Sequence, residues 1–275
     1  MNHDKTSLLV RLIGLAVAAA IAVGLQASER ASGGADLYGY SLVESPMGPT
    51  CGYDYVDLGE DAEVLALRPG HPAAASDDFA AVLPLAEPFE FYQLPNEALV
   101  VTANGYLAAA GSLAQEDGAD FSNDCRLPAR ADHAAAVQDR VYVYHDDLRA
   151  QAGGHVRHAY FPACPRVGAS GEAEPCTVVE WNRFERATAL ESSQPLRAQA
   201  VLYHRSHAIA LQYASVDDSR AAQATIGLQG LDGRTARLAG CDLPDRVKPR
   251  QAVCFFDPRH RPAGSRRLVS GATAP

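Results

Sequence analysis

The sequence predicts an all-β protein: a two-sheet antiparallel β-sandwich of the jelly-roll type, cross-linked by disulfides. Three observations support this prediction. Short apolar runs alternate with Gly, Pro, Asp and Asn, long helical periodicity is scarce, and the chain contains six cysteines. Many short strands joined by tight turns are typical of sandwiches and barrels, so a closed barrel is the alternative architecture.

Two neighbouring segments show the strand pattern most clearly. Every second residue from Leu196 to Leu202 is apolar, and the pattern repeats from Ile209 to Tyr213. Because side chains alternate between the two faces of a strand, we expect one buried and one solvated face in each. Residues 204–207 are short enough for a hairpin turn. Further strands are expected at 52–58, 63–67, 79–83, 89–93, 98–102, 106–109, 140–145, 155–161, 177–184, 222–228 and 252–256.

Residues 1–27 predict a secretory signal peptide. Lys5 and Arg11 accompany the apolar run 12–25, and Ala27 is the expected last residue before cleavage. The run is shorter than the roughly 20 apolar residues that a membrane-spanning helix needs. We therefore expect a secreted or periplasmic mature chain with no membrane span.

The remaining chain is expected to form one domain. Small polar residues at 28–35 predict a linker, 36–258 a single β-sandwich domain, and 259–275 a flexible tail. The net charge is −9, with 33 acidic and 24 basic residues. Because the basic residues are scattered and outnumbered, we expect no nucleic-acid partner.

The cysteines predict three disulfides, since all six follow the signal segment and an exported chain meets an oxidising environment. Proximity in the sequence favours Cys164 with Cys176 and Cys241 with Cys254, which leaves Cys51 with Cys125. A zinc site is not expected, because the chain contains no C-x-x-C pair.

An ordered series of motifs resembles a known family. The motifs lie at 48–58, 88–92, 102–107, 124–128, 143–148, 178–182, 199–203 and 252–256. Together they resemble a module of bacterial secreted and cell-surface proteins, found beside extracellular peptidases or adhesion domains, and more distantly the nidogen-type extracellular domain. The resemblance implies a β-sandwich and an extracellular location, but little chemistry, because the family is largely without assigned activity.

Three positions depart from the family pattern. His145 stands where a tryptophan commonly precedes the paired aspartates, and Gln93 stands where a glycine follows the motif Phe91-Tyr92. The turn 204–207 replaces a Gly-Asp turn. These departures affect the transfer of a surface function more than the pattern of the core.

Asp146 and Asp147 are the candidate metal ligands. Adjacent carboxylates combined with backbone oxygens suit Ca²⁺, which takes about 6–8 oxygen ligands. The alternative is a turn in which the two carboxylates accept backbone N–H groups. No cofactor is expected, and Ca²⁺ is the one candidate ion.

Other candidates for chemistry have ordinary structural interpretations. Strand alternation places Trp181 with Val179 in the core, and Val178 with Glu180 on the opposite face. The histidine pairs His155/His158 and His204/His207 are interpreted as solvated surface residues.

The sequence predicts a binding or adhesion module without catalytic machinery. Its partner is expected to be an extracellular polymer, a glycan or a protein, and exposed tyrosines such as Tyr53 and Tyr55 are candidate contacts. The alternatives are a secreted hydrolase and a purely structural cell-envelope protein.

Overall fold

The computed structural model describes residues 35–45, 51–69, 77–109, 120–121, 125, 127, 139–168, 170–188, 194–216, 224–230, 235–243 and 246–260. The chain divides into the units Met1–Gly34 and Ala35–Pro275. The expected signal peptide and nearly all of the linker and tail lie outside the described residues. Among the residues that are described, no helix has the length and apolarity to cross a membrane.

The predicted fold class is confirmed: two antiparallel seven-stranded sheets pack against each other. The strands are β1 (Ser41–Glu44), β2 (Glu63–Val64), β3 (Arg68–Pro69), β4 (Phe79–Phe91), β5 (Leu94–Thr102), β6 (Tyr106–Ala109), β7 (Arg140–His145), β8 (Leu148–Phe161), β9 (Cys176–Arg186), β10 (Leu196–Tyr203), β11 (Ile209–Ser215), β12 (Thr225–Gln229), β13 (Ala236–Gly240) and β14 (Gln251–Phe256). Sheet A has the order β1-β14-β11-β10-β9-β8-β2, and sheet B the order β13-β12-β7-β6-β5-β4-β3.

The main hydrophobic core lies between the sheets, and Trp181 is at its centre. The indole is fully buried and its Nε1–H donates to the carbonyl of Thr102 at 2.7 Å, which links β9 of sheet A to β5 of sheet B. Val179 belongs to the same core, whereas Val178 belongs to a second buried cluster on the other side of sheet A. The alternation predicted for β9 is therefore confirmed.

The expectation of one solvated face in β10 and β11 is wrong. Ala208 and Ala210 are as buried as Ile209 and Leu211, because a second cluster covers the outer face of sheet A. The outer face of sheet B is covered as well, where Leu127 packs on buried side chains of β5, β6 and β7. Central strands therefore bury both faces, as parallel strands more commonly do.

All six cysteines form disulfides, but two of the three favoured pairings are wrong. Cys164 pairs with Cys176 as proximity predicted, whereas the long-range pairs are Cys51–Cys254 and Cys125–Cys241, separated by 203 and 116 residues. Cys51 belongs to the covering layer of sheet A and Cys125 to the connection between β6 and β7. Both long-range bridges attach a non-strand segment to a strand or its end.

The strand boundaries differ from expectation at several places. Segment 52–58 is extended but is not a strand, and 63–67 contributes only β2. The expected strand 79–83 and residues 89–91 of the expected strand 89–93 belong to the single strand β4, whose register is irregular between Pro84 and Phe89; residues 92–93 form the turn that follows.

The turn of the β4–β5 hairpin places two non-glycine residues in the left-handed region, where φ is positive, although such residues prefer negative φ. Tyr92 and Gln93 have φ angles of 48° and 68°. A two-residue hairpin loop of this kind requires positive φ at both positions, where Asn and Gly are preferred. Gln93 is exposed.

We predict that Gln93→Gly stabilises the protein. Glycine removes about 1–2 kcal/mol of left-handed strain, partly offset by its larger backbone entropy, so the expected gain is about 0.5–1 kcal/mol. For a domain of this size the melting temperature rises by about 1–4 °C in calorimetry. The control Glu97→Gly, at an exposed β5 position without positive φ, is expected to lower it. A lower melting temperature for Gln93→Gly would contradict the prediction.

Candidate functional site

An extended segment crosses the outer face of sheet A, and we call residues 51–58 the strap. The strap meets Gln212 of β11, then Gln199 of β10, and Tyr55 reaches Glu180 of β9. These three side chains stand opposite one another across neighbouring strands. The strap therefore crosses the strands instead of pairing with one of them.

Two buried glutamines hold the strap through paired hydrogen bonds. Gln212 accepts the N–H of Asp54 at 2.7 Å and donates to its carbonyl at 2.6 Å. Gln199 does the same at Val56, at 3.0 and 2.6 Å. Both glutamines are completely buried. Each primary amide thus takes the place of the peptide group that a neighbouring strand would offer.

Apolar packing and a disulfide complete the attachment of the strap. Val56 and Leu58 are buried against the outer side chains of sheet A, which include Val178 and Val201. The Cys51–Cys254 bridge fixes the first residue of the strap to β14. The strap is consequently a rigid part of the fold.

The solvent side of the strap carries two tyrosines, each beside an arginine. The Tyr53 and Tyr55 rings lie 6.2 Å apart between centroids. The Arg250 guanidinium lies 5.5 Å from the Tyr53 centroid, and that of Arg197 lies 4.9 Å from the Tyr55 centroid. Both tyrosines are half-buried and Asp54 between them is exposed. We call these five residues the tyrosine platform.

Beneath the platform, the fully buried carboxylate of Glu180 is saturated with donors. It accepts hydrogen bonds from Arg157 at 2.7 Å, from Arg197 at 3.2 Å and from the Tyr55 hydroxyl at 2.9 Å. Burial and this carboxylate together raise the pKa of Tyr55 well above its ordinary value. Because its oxygens are engaged, Glu180 holds the platform in place.

Arg250 differs from Arg197, the other arginine of the platform. Within the described ranges its guanidinium forms no ion pair and lies beside the Tyr53 ring. The backbone of Arg250 has a φ of 62°, a conformation that costs an L-residue roughly 1–2 kcal/mol. Its backbone N–H donates to the backbone carbonyl of Tyr213 at 2.7 Å. Residues held in such conformations are frequent at functional sites.

The predicted calcium ligands lie at the turn between β7 and β8. Asp146 is buried, its carboxylate lies 2.9 Å from Arg186 Nε, and it accepts the N–H of Asp147 at 2.9 Å. Arg186 supplies the positive charge that a calcium ion would otherwise supply to Asp146. Burial nevertheless raises the pKa of Asp146 to about 6. Calcium binding stays a prediction.

One other metal-like cluster occurs in the described part of the chain. Ligand atoms of Cys125, Cys241 and Asp242 all lie within 4.8 Å of one another. Both cysteines are consumed by their mutual disulfide, so this cluster lacks the thiolates that a metal ion would need.

Sequence reasoning missed a buried polar network around Asn104. The Asn104 amide donates to Asp78 at 2.8 Å and to the Asp120 carbonyl at 3.1 Å, and it accepts the N–H of Leu148 at 3.0 Å. His145 Nδ1 lies 2.9 Å from the Asn104 carbonyl oxygen. Nothing in the sequence signalled these distant partners. The network fixes the β5–β6 turn against the β7–β8 turn.

Comparison with known proteins found no matching family model, curated protein or solved structure. The resemblance to a bacterial surface module therefore stays a prediction, and the functional argument depends on the geometry of the site.

We predict that the glutamine amides are essential for the strap. Gln199→Leu or Gln212→Leu leaves a buried N–H and a buried carbonyl unpaired, at a cost of about 2–4 kcal/mol in urea denaturation. Hydrogen exchange at Val56 should accelerate in Gln199→Leu. The control Gln151→Leu removes a half-exposed glutamine bonded to Glu185 and should cost less than about 1 kcal/mol. Equal losses in all three variants would contradict this prediction.

We also predict an unusual titration of Asp146. Its folded pKa of about 6 exceeds the ordinary value of 3.8, so the fold disfavours the charged form. The free energy of unfolding of the wild type, minus that of Asp146→Asn, should therefore rise by about 1–3 kcal/mol as the pH falls from 7 to 4.5. Denaturation at both pH values measures it. If this difference instead becomes smaller as the pH falls from 7 to 4.5, the ion pair with Arg186 dominates and the prediction is wrong.

Proposed function

We propose that this chain is a secreted binding module that holds an extracellular glycan on the tyrosine platform without altering it chemically. The observation that supports this proposal most directly is the exposed guanidinium of Arg250, which lies 5.5 Å from the centroid of the half-exposed Tyr53 ring. Sugars present apolar C–H faces and rings of hydroxyl groups. An aromatic ring beside an exposed guanidinium donor complements both, and the exposed Asp54 next to Tyr53 in the chain adds an acceptor to the same segment.

The rigidity of the strap supports the same proposal. A ligand-binding surface that is already ordered loses little conformational entropy when its ligand binds. The backbones of Asp54 and Val56 are held by buried glutamine amides, and Cys51 is held covalently. The platform is therefore preorganised, although it lies on a segment without strand pairing.

The surroundings of Glu180 favour binding over hydrolysis. Glycosidases use two carboxyl groups flanking the scissile bond, one of them free to transfer a proton. Glu180 is the buried carboxylate nearest to Tyr55, and it is occupied by two arginines and the Tyr55 hydroxyl. The platform thus offers Asp54 as an exposed carboxylate, without a paired general acid in contact with it among the described residues.

A glycan-binding screen with the mature chain, residues 28–275, tests the proposal. The chain is applied to an array of bacterial and host glycans, and hits are measured by isothermal titration calorimetry. We expect Tyr53→Ala and Arg250→Ala each to weaken binding at least about tenfold, since each removes a central contact. Two matched controls should stay within about twofold: Tyr160→Ala, a half-exposed tyrosine on β8, and Arg183→Ala, an exposed arginine with a φ of 62°.

Each other outcome would overturn part of the proposal. Unchanged affinity in both platform variants would place the glycan elsewhere on the surface. Cleavage of the glycan, seen as new reducing ends, would establish the hydrolase alternative. Absence of binding to any glycan at millimolar concentration would overturn the proposal and leave the structural cell-envelope alternative.

A further inference from the structure

A second feature of the molecule lies at the end of the sandwich where the β10–β11 turn, residues 204–207, closes against β4. The turn belongs to sheet A and β4 to sheet B, so this contact joins the two sheets. The expectation that His204 and His207 are solvated is wrong: His204 is 6% exposed, and the side chain of His207 is 14% exposed. Between them lies Phe89, which is 1% exposed.

His204 is buried between the two sheets. Its Nε2 lies 2.9 Å from Thr177 Oγ1, and its Nδ1 lies 3.3 Å from the Pro88 carbonyl oxygen, which is a weak hydrogen bond across the interface. The groups facing it are Glu87 from β4, Glu174 from the segment before β9 and the Tyr160 ring from β8, 5.9 Å away. Burial lowers the pKa of His204, although the Pro88 carbonyl and both carboxylates act in the opposite direction.

His207 is the second titratable group at the contact. Its Nε2 lies 3.7 Å from Glu90 Oε2, and its buried Nδ1 has no hydrogen-bond partner within the part of the chain that the structure describes. Arg259, Asp257 and His260 face it from the residues after β14, with the His260 ring 5.5 Å away. Burial lowers the pKa of His207; Arg259 and His260 act in the same direction, while Glu90 and Asp257 oppose them.

We propose that this contact is an acid-sensitive clasp: protonation of His207 releases the β10–β11 turn from β4 and exposes Phe89. The geometry supports the proposal, because Phe89 is flanked edge-on by both imidazoles, with centroids 6.2 and 6.3 Å from its ring. A proton on His207 Nδ1 creates a buried cationic N–H without an acceptor, which is costly. The clasp consists of His204, His207, Phe89 and Glu90.

Contacts outside the clasp determine whether the turn separates from sheet A or from β4. Glu174 accepts the N–H groups of Arg205 and Ser206 and the Ser206 hydroxyl, at 2.7–3.1 Å, so the turn stays attached to sheet A. The Arg259–Glu90 ion pair connects the end of β14 to β4, but both side chains are partly exposed, and such pairs contribute little. Protonation of His207 therefore opens the contact between the turn and β4.

The direction of the pH dependence follows from linkage. An exposed histidine has a pKa of about 6.5, and both clasp histidines have lower values while the clasp is closed. Their contribution to the closed state is complete above about pH 6.5 and is lost as the pH falls through their folded pKa values. A shift of one pKa unit changes the opening equilibrium by up to about tenfold for each histidine.

Hydrogen exchange monitored by mass spectrometry tests the clasp in the mature chain. Between pH 7.5 and 5.0, after correction for intrinsic exchange rates, protection in peptides covering 86–91 and 203–209 should fall at least about tenfold. Protection of the β5–β6 hairpin, which lies outside the clasp, should change little. An equal loss throughout the chain would mean global acid unfolding and would overturn the proposal.

Variants identify the responsible groups. His204→Gln/His207→Gln carries amides that do not titrate, so the local loss of protection at pH 5.0 should disappear; the control His155→Gln, a half-exposed histidine on β8 outside the clasp, should retain it. If the double variant does not fold, an NMR titration of the wild type decides. A His207 pKa at or above 6.5 would overturn the proposal, and a value below 6.5 together with the local exchange would support it.

Discussion

The pairing of two buried glutamine amides with the strap backbone is the interaction on which the outer half of sheet A depends. Peptide groups that lie on an apolar sheet face lose water and need other partners. Gln212 and Gln199 supply both a donor and an acceptor to Asp54 and Val56. With these partners, an extended segment can cover a sheet across its strands, and the face beneath it can be as apolar as a core.

This covering layer explains two other properties of the molecule. Central strands such as β10 are buried on both faces. Antiparallel sheets commonly leave one face in contact with water, and the covering layer removes that contact here. The disulfide Cys51–Cys254 spans most of the chain because it joins the covering layer to a strand near the C-terminus. The layer also carries the tyrosine platform, in which the Tyr55 hydroxyl is bonded to the buried Glu180 and the Tyr53 ring lies beside that of Tyr55.

Buried charges in this fold differ in how completely they are compensated. Glu180 has two arginines and a tyrosine hydroxyl, whereas Asp146 has one arginine and keeps a pKa raised to about 6. His204 and His207 have less compensation for a positive charge, because burial outweighs the carboxylates near them. Compensated groups stabilise the site, and the less compensated ones make the fold sensitive to pH.

The sequence by itself determined the fold class, the inward positions of Trp181 and Val179, and the short-range bridge Cys164–Cys176. All three depend on local alternation or proximity, which can be read along the chain. The strap, the long-range bridges and the buried His204–His207 turn were decided only by the tertiary structure. Their partners lie on strands distant in sequence: a glutamine that replaces a neighbouring strand, or a histidine buried by the opposite sheet, looks like an ordinary polar residue until the sheets are packed.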